Sequence, residues 1–291
     1  MSDTKNIAPA PTEGDLDSNR RSDATSTIKS TAPSPTESDS DTSSTLHPNN
    51  KIALLCTLHP TSKDARSKVL SLLDRGSSYY RSTQSKCTTW TYFTPSTRPK
   101  APSQLISKDK HDLVIGGMEI YTDKDALSTQ QNESWFQDFH KQVKADGLYE
   151  KDEDLVAWYP AAGFVSRGDS AAPFGQGTVV MQAVFTCKDG QREKVLDVLG
   201  QYAASWVEKN EPDVLTYCFM TRPKAPNEIL VFERYKNHKA LGAHGSTKEF
   251  KAMFKAIAPH IEVKQTKLQE WMELDNAFVG NVVGQGEKAK L

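Results

Sequence analysis

A histidine set just ahead of a capped, aromatic-rich helix is the part of this sequence best suited to moving a proton. His244 precedes Ser246-Thr247-Lys248-Glu249, a capping-box pattern, and then Phe250, Met253, Phe254 and Ile257 at the i, i+3, i+4, i+7 spacing of one helical face. An imidazole at such a junction can reach the space between helices and sheet, and near neutral pH its neutral form accepts a proton. The position suits equally a histidine that only satisfies a backbone group. Trp206, Tyr217, Phe232, Tyr235, Phe250, Phe254 and Trp271 could wall a pocket for a planar apolar substrate, with the hydroxyls of Tyr217 and Tyr235 at its polar edge. Their helical and alternating spacing also accounts for them as plain core.

The other candidates are weaker. His140 occupies an otherwise apolar helical face and reads either as a hydrogen-bonded core histidine or as the mark of a remodelled pocket. His59, His111, His238 and His260 show no i, i+4 pairing with one another or with carboxylates, so no metal is expected. Cys56, Cys87, Cys187 and Cys218 lie far apart, without ligand spacing, as reduced thiols in strands would.

A duplication positions these residues. Thr97-Arg98-Pro99-Lys100-Ala101-Pro102 recurs unchanged as Thr221-Arg222-Pro223-Lys224-Ala225-Pro226. Around it, Lys68-Val69-Leu70 aligns with Lys194-Val195-Leu196, Tyr80 with Trp206, Thr91-Tyr92 with Thr216-Tyr217, and Glu119-Ile120-Tyr121 with Glu233-Arg234-Tyr235. Ala126-Leu127 aligns with Ala240-Leu241, which sets two units at about 51–160 and 177–275. The repeated hexapeptide reads as a proline-stiffened connection between strands, or less simply as a basic clamp for an anionic group.

Each unit predicts strand, helix, strand, strand, helix, strand, with first strands at Ile52–Leu58 and Val179–Phe185 and last strands near Leu155–Tyr159 and Leu268–Met272. The first helix carries its stripe at Val69, Leu70, Leu73 and Tyr80, repeated as Val195, Leu196, Leu199, Tyr202, Ala203 and Trp206. The second shows Phe136, Phe139, His140 and Val143 where the later copy has Phe250, Met253, Phe254 and Ile257. This order is the ferredoxin-like α+β arrangement, which leaves one sheet face bare. A second copy on the same chain supplies the partner at high effective concentration, so face-to-face packing into a pseudo-dimeric barrel is expected.

The second unit resembles the antibiotic biosynthesis monooxygenase family of dimeric α/β barrels. The resemblance rests on the strand Val179–Phe185, Lys188-Asp189-Gly190 leading into a helix, Phe232-Glu233-Arg234-Tyr235, and above all Ala240-Leu241-Gly242-Ala243-His244 before the aromatic helix. In the first unit Gln130 stands at the histidine position, which the resemblance implies is the degenerate copy. The resemblance implies a cofactor-free monooxygenase acting on a phenolic or quinol-type molecule, with His244 as base. The fold also hosts isomerases or lyases and non-catalytic binding or structural barrels, so it does not choose the activity.

Outside the units, residues 1–50 hold no Phe, Trp or Tyr and eight acidic against four basic residues, a composition that cannot offset its ordering entropy, so a disordered tail is expected. Residues 161–176 read as a linker and 276–291 as a flexible end. What remains after the first fifty residues carries 32 basic and 29 acidic side chains, a balance that argues against a nucleic-acid partner. No run has the length of a membrane span or the form of a signal peptide. The terminal Ala289-Lys290-Leu291 resembles a peroxisomal address, which leaves cytoplasm or peroxisome and argues against secretion. A monomer and a dimer of two-unit chains are both compatible with the pattern.

Overall fold

A computed structural model describes residues 50–82, 86–167, 177–275 and 277–280. The expected tail up to residue 49, most of the linker and Ala289-Lys290-Leu291 lie outside the described residues. The first unit comprises β1 (Ile52–Leu58), α1 (Lys63–Ser82), β2 (Cys87–Pro95), β3 (Ile115–Tyr121), α2 (Lys124–Gln131), α3 (Ser134–Ala145) and β4 (Asp154–Phe164). The second comprises β5 (Val179–Thr186), α4 (Arg192–Tyr202), a π-helical turn (Ala203–Val207), α5 (Glu208–Asn210), β6 (Val214–Thr221), β7 (Glu228–Tyr235), α6 (His238–Ser246), α7 (Lys248–Ile257) and β8 (Lys267–Glu273); a short β9 (Val279–Gly280) follows.

Within each unit the strands pair in ferredoxin-like order, β2-β3-β1-β4 and β6-β7-β5-β8, all antiparallel. The units do more than face each other. β4 pairs with β6, and β8 with β2, so both pairs of open edges are consumed and the eight strands close into one barrel. β9 adds to β2.

Strand alternation then sorts side chains between two faces. Ala53, Phe93, Met118, Ile120, Val180, Cys218, Leu230, Phe232 and Trp271 point into the barrel and form one core. The opposite faces pack under the helices as two further cores, one per unit, with Val69, Leu73 and Tyr80 in the first and Val195, Leu199 and Tyr202 in the second. Full burial of each such aliphatic side chain is worth about 2 kcal/mol. Inside the barrel, Arg234 of β7 makes a two-pronged ion pair with Glu273 of β8, both contacts 2.7 Å, and Thr91 of β2 donates to the same carboxylate at 2.6 Å. The Phe278 ring lies 3.5 Å from the Arg234 guanidinium, so this buried charge is paired, hydrogen-bonded and covered.

Three boundaries differ from the sequence reading. The last strand of the first unit runs to Phe164, well into the expected linker, because β6 offers a hydrogen-bonding edge that a single unit would lack. The second helical segment of each unit is broken in two, and α7 is capped by Thr247 rather than Ser246, the Thr247 hydroxyl accepting from Phe250 N at 3.1 Å. The first helix of the second unit passes into a π-turn at Ala203, which inserts a residue into the helical stripe.

The repeated hexapeptide is structural. Arg98 reaches across the β2–β8 seam to Glu270, at 3.0 and 2.5 Å, where Ser96 and His238 also contact the carboxylate. Arg222 pairs with Glu228 at 2.8 Å and lies over the ring of Trp158 on β4, 4.9 Å from its centroid. Both arginines are thus engaged within the chain, which favours the plain reading over the anionic clamp. Although burial raises the Glu270 carboxyl, its hydrogen bonds from Arg98, Ser96 and His238 outweigh this and bring it down to about 2.

Two outcomes test the seams. A carboxyl held down to about 2 contributes stability that is complete above the unfolded value near 4.5 and fades as pH falls toward 2. Arg98→Ala is therefore expected to lower unfolding stability at pH 7, with the deficit shrinking in melts run below pH 4. The loss should be about 1 to 2 kcal/mol, because Glu270 is left buried while solvent screens the part-exposed guanidinium. On the other seam, Gly163 sits at φ +93° and a Cβ there would meet the Tyr217 carbonyl, so Gly163→Ala is expected to cost about 3 kcal/mol in denaturant titration.

Candidate functional site

The helix-facing side of β6 and β7 presents Tyr217, Glu233 and Tyr235, because residues two apart on a strand share a face. His244 meets them from the last turn of α6, fully inside the protein at 3% exposure. Its placement follows from two caps. Asn237 opens α6 by accepting from Ala240 N at 3.0 Å, and Thr247 closes it by donating to the His244 carbonyl at 3.0 Å while capping α7.

The imidazole is held at one nitrogen. Nδ1 lies 2.7 Å from Oε2 of Glu211, just beyond α5, and Trp206 Nε1 donates to the other carboxylate oxygen at 2.8 Å. The π-turn brings Trp206 and Glu211 together, and Arg167 fixes the chain around them. Its guanidinium donates to the carbonyls of Val207, Glu208, Glu211 and Val214 at 2.5–2.9 Å, closing a helix end that would otherwise leave acceptors bare. A carboxylate on Nδ1 selects the tautomer whose Nε2 carries the lone pair. That Nε2 is buried and has no hydrogen-bond partner among the described residues.

Around it stand the rings of Phe250, Tyr217, Tyr235 and Tyr202, with centroids at 4.9, 5.2, 5.5 and 6.1 Å. Tyr235 donates its phenol to Glu233 at 3.0 Å. Burial raises the Glu233 carboxyl, against the opposing pull of His244 and the Tyr235 hydroxyl. Burial likewise pushes the phenols of Tyr217 and Tyr235 well up, so both remain protonated donors.

Five of the seven aromatic candidates thus belong to the neighbourhood of His244: Tyr217, Tyr235 and Phe250 beside the ring, Trp206 through Glu211, and Phe254 stacked on Phe250 at 6.5 Å. Phe232 and Trp271 do not. They point into the barrel, where Trp271 donates to Gln182 at 3.1 Å, on the opposite sheet face from His244. Glu211 and Arg167 carried no sequence signal, since one ends a helix and the other lies in the linker. Glu233 could have been found, because an acidic residue two before a tyrosine recurs on both copies of a strand that must face a core.

The first unit repeats the arrangement with different parts. Glu119 accepts from Tyr92 at 2.9 Å and Tyr121 at 2.5 Å, and Gln130 is buried at the position corresponding to His244. Here a narrow cavity of about 30 Å³ lies between helices and sheet. Trp135, Phe136, Phe139, His140 and Glu153 join Glu119 in its wall, and His140 Nδ1 lies 3.9 Å from Glu153 Oε1. All four cysteines are buried.

Residues 178–256 match the family model described as antibiotic biosynthesis monooxygenase. The second unit belongs to that family. The whole barrel is also similar to solved structures. A provisionally named monooxygenase from Lactobacillus acidophilus NCFM superposes with a TM-score of 0.65 at 14% identity, over 81% of this chain and 100% of that one. One from Fusobacterium nucleatum subsp. nucleatum gives 0.62 at 16%, over 84% and 97%. An anthrone oxidase-like protein gives 0.50 at 11%, over 84% and 98%. At these identities the likeness is one of fold, and it extends across both units rather than the monooxygenase-family domain alone. No curated protein sequence matches the chain. Among the described residues no helix is long and apolar enough to cross a membrane.

The family domain's histidine should depend on Glu211 for its tautomer. Nitrogen-resolved NMR of the imidazole is expected to show a protonated Nδ1 and bare Nε2 in the intact chain, and a mixture in Glu211→Ala. That variant should also lose about 2 kcal/mol of stability, the worth of a charge-assisted hydrogen bond whose partners are left buried.

Proposed function

We propose that the chain is a cofactor-independent monooxygenase for a small electron-rich aromatic molecule of phenol, quinol or anthrone type, with its working site in the second unit. The observation that carries this is the buried His244, oriented by Glu211, with Nε2 unpartnered among aromatic rings. A base so held can take a proton from a weakly acidic C–H or O–H, and the Glu211 carboxylate stabilises the imidazolium that forms. The Tyr217 hydroxyl supplies a donor for an oxyanion.

For an anthrone-type methylene the sequence balances with dioxygen alone. The proton passes to Nε2, and the carbanion gives one electron to dioxygen. Radical and superoxide then join in a C–O bond, and the peroxide recovers the proton from the imidazolium. Loss of water leaves a ketone, so one methylene group and one dioxygen become one carbonyl group and one water. Phe250 of α7, half-buried, meets the imidazole edge-on on the side where a substrate would have to approach Nε2. The tight ring packing about His244 also supports the alternative of a binding barrel without turnover, and the same experiment separates the two.

Oxygen uptake should be measured with anthrones and hydroquinones after removal of metals and flavin. Uptake is expected to survive that treatment and to fall about 10²- to 10³-fold in His244→Ala, the usual contribution of a positioned base. Binding of these compounds with no oxygen consumption would instead establish the non-catalytic reading.

A further inference from the structure

The carboxylate that orients His244 does not sit on a regular element. Glu211 follows the last residue of α5 at φ −120° and ψ 72°, and its backbone bonds are those of a turn. Its N–H donates to the Val207 carbonyl at 3.1 Å, and its own carbonyl accepts from Val214 N at 3.0 Å. Periodicity therefore does not aim this side chain as a strand aims Tyr217. Yet the side chain is held closely, with one oxygen 2.7 Å from His244 Nδ1 and the other accepting from Trp206 Nε1 at 2.8 Å.

Arg167 supplies the constraint. Its guanidinium uses four N–H donors on the carbonyls that bracket Glu211: Nε on Val214 at 2.5 Å, Nη1 on Glu208 at 2.6 Å, and Nη2 on Val207 at 2.8 Å and on Glu211 itself at 2.9 Å. Those acceptors belong to both arms of the turn. One rigid plane thus fixes the end of the helix against the start of β6, and with it the direction in which Glu211 leaves the backbone. The cation also lies at the C-terminal end of the continuous helical run from Arg192 to Asn210, where the helix dipole favours it.

The arginine comes from the other half of the barrel. It follows β4, the last strand of the first unit, whose Phe164 pairs with Tyr217 across the seam. The Phe164 ring centroid is 4.6 Å from the guanidinium, and the Thr216 hydroxyl donates to the Val165 carbonyl at 2.6 Å, which fixes the chain just ahead of Arg167. The family model begins at residue 178, so Arg167 lies outside it. The repeat offers an internal comparison. Leu274 stands opposite Tyr92 as Phe164 stands opposite Tyr217, which puts Ala277 in the place of Arg167. The unit that carries Gln130 in place of the histidine therefore has no arginine at this position either.

We propose that Arg167 is a positioning residue for His244: reaching across the β4–β6 seam, it holds the turn that aims Glu211, and through Glu211 it selects the tautomer with a bare Nε2. The site of the second unit is then incomplete without the tail of the first, although His244, Glu211 and the rings around them all belong to the second. The inference concerns the state of the imidazole and holds whether the centre turns over a substrate or only binds one.

The test is nitrogen-resolved NMR of the full chain, labelled in histidine and tryptophan, comparing Arg167→Ala with Arg222→Ala. Arg222 lies just past the far end of β6, and its loss removes an ion pair and a ring contact without touching the helix end. Arg167→Ala is expected to shift the tautomer ratio of His244 at least about tenfold toward protonated Nε2 and to move the Trp206 indole N–H resonance, although Glu211 is still present. Arg222→Ala should leave both signals as they are in the intact chain. If the alanine variant does not fold, Arg167→Lys decides. It keeps the charge but presents its donors from a single point, so the ratio should shift in the same direction by a smaller factor. An unshifted tautomer in the variant that is read, or as large a shift in Arg222→Ala, would overturn the proposal.

Discussion

Two strand seams hold the molecule together. A ferredoxin-like unit with helices on one face has a bare sheet face and two open edges, and neither can be left in water. Pairing β4 with β6 and β8 with β2 consumes the edges, and the bare faces become the inside of a barrel. The interior then has to accept the polar side chains that alternation delivers to it, which it does by joining Arg234, Glu273 and Thr91 across the β2–β8 seam. Everything on the helix side, including both glutamate–tyrosine clusters, rests on a sheet whose curvature is fixed by this closure.

The same framework carries two glutamate–tyrosine clusters with different surroundings. Each keeps a glutamate flanked by tyrosines on the sheet, Glu119 with Tyr92 and Tyr121, and Glu233 with Tyr235 and Tyr217 nearby. The second adds a histidine and the carboxylate that orients it, and fills the remaining space with rings. The first has Gln130 in place of the histidine, with Glu153, His140 and a narrow cavity beside it. A change of one group and the shape of a cavity leave different traces in a sequence. The first is a letter change; the second depends on how Trp135 and Phe139 pack.

Much of the fold was legible because it obeys periodic rules. The repeat, the strand alternation and the helical stripes gave the two units and their order, and the ferredoxin-like pattern implied a partner for the bare face. Phe232 and Trp271 were misplaced beside the histidine for lack of register, since a shift of one residue moves a strand side chain to the other face. Gly163 looked like linker, because a glycine that follows two alanines has no apolar pattern; only the partner strand makes it a seam residue. Glu211 and Arg167 were invisible since their roles come from a π-turn and from free carbonyls at a helix end, neither of which has a periodic signature.

The seam contacts are not interchangeable between the units. Arg98 finds Glu270 on β8, but the matching position on β4 is Ala157, as the pairings of the two central strands show. Two first units brought together would offer each other an arginine with no carboxylate to receive it. During synthesis the first unit leaves the ribosome first and often beside copies of itself on the same message. Its neighbours are then poor substitutes for the half still being made, and the asymmetry that shapes the finished barrel also discourages exchange between chains while it is being built.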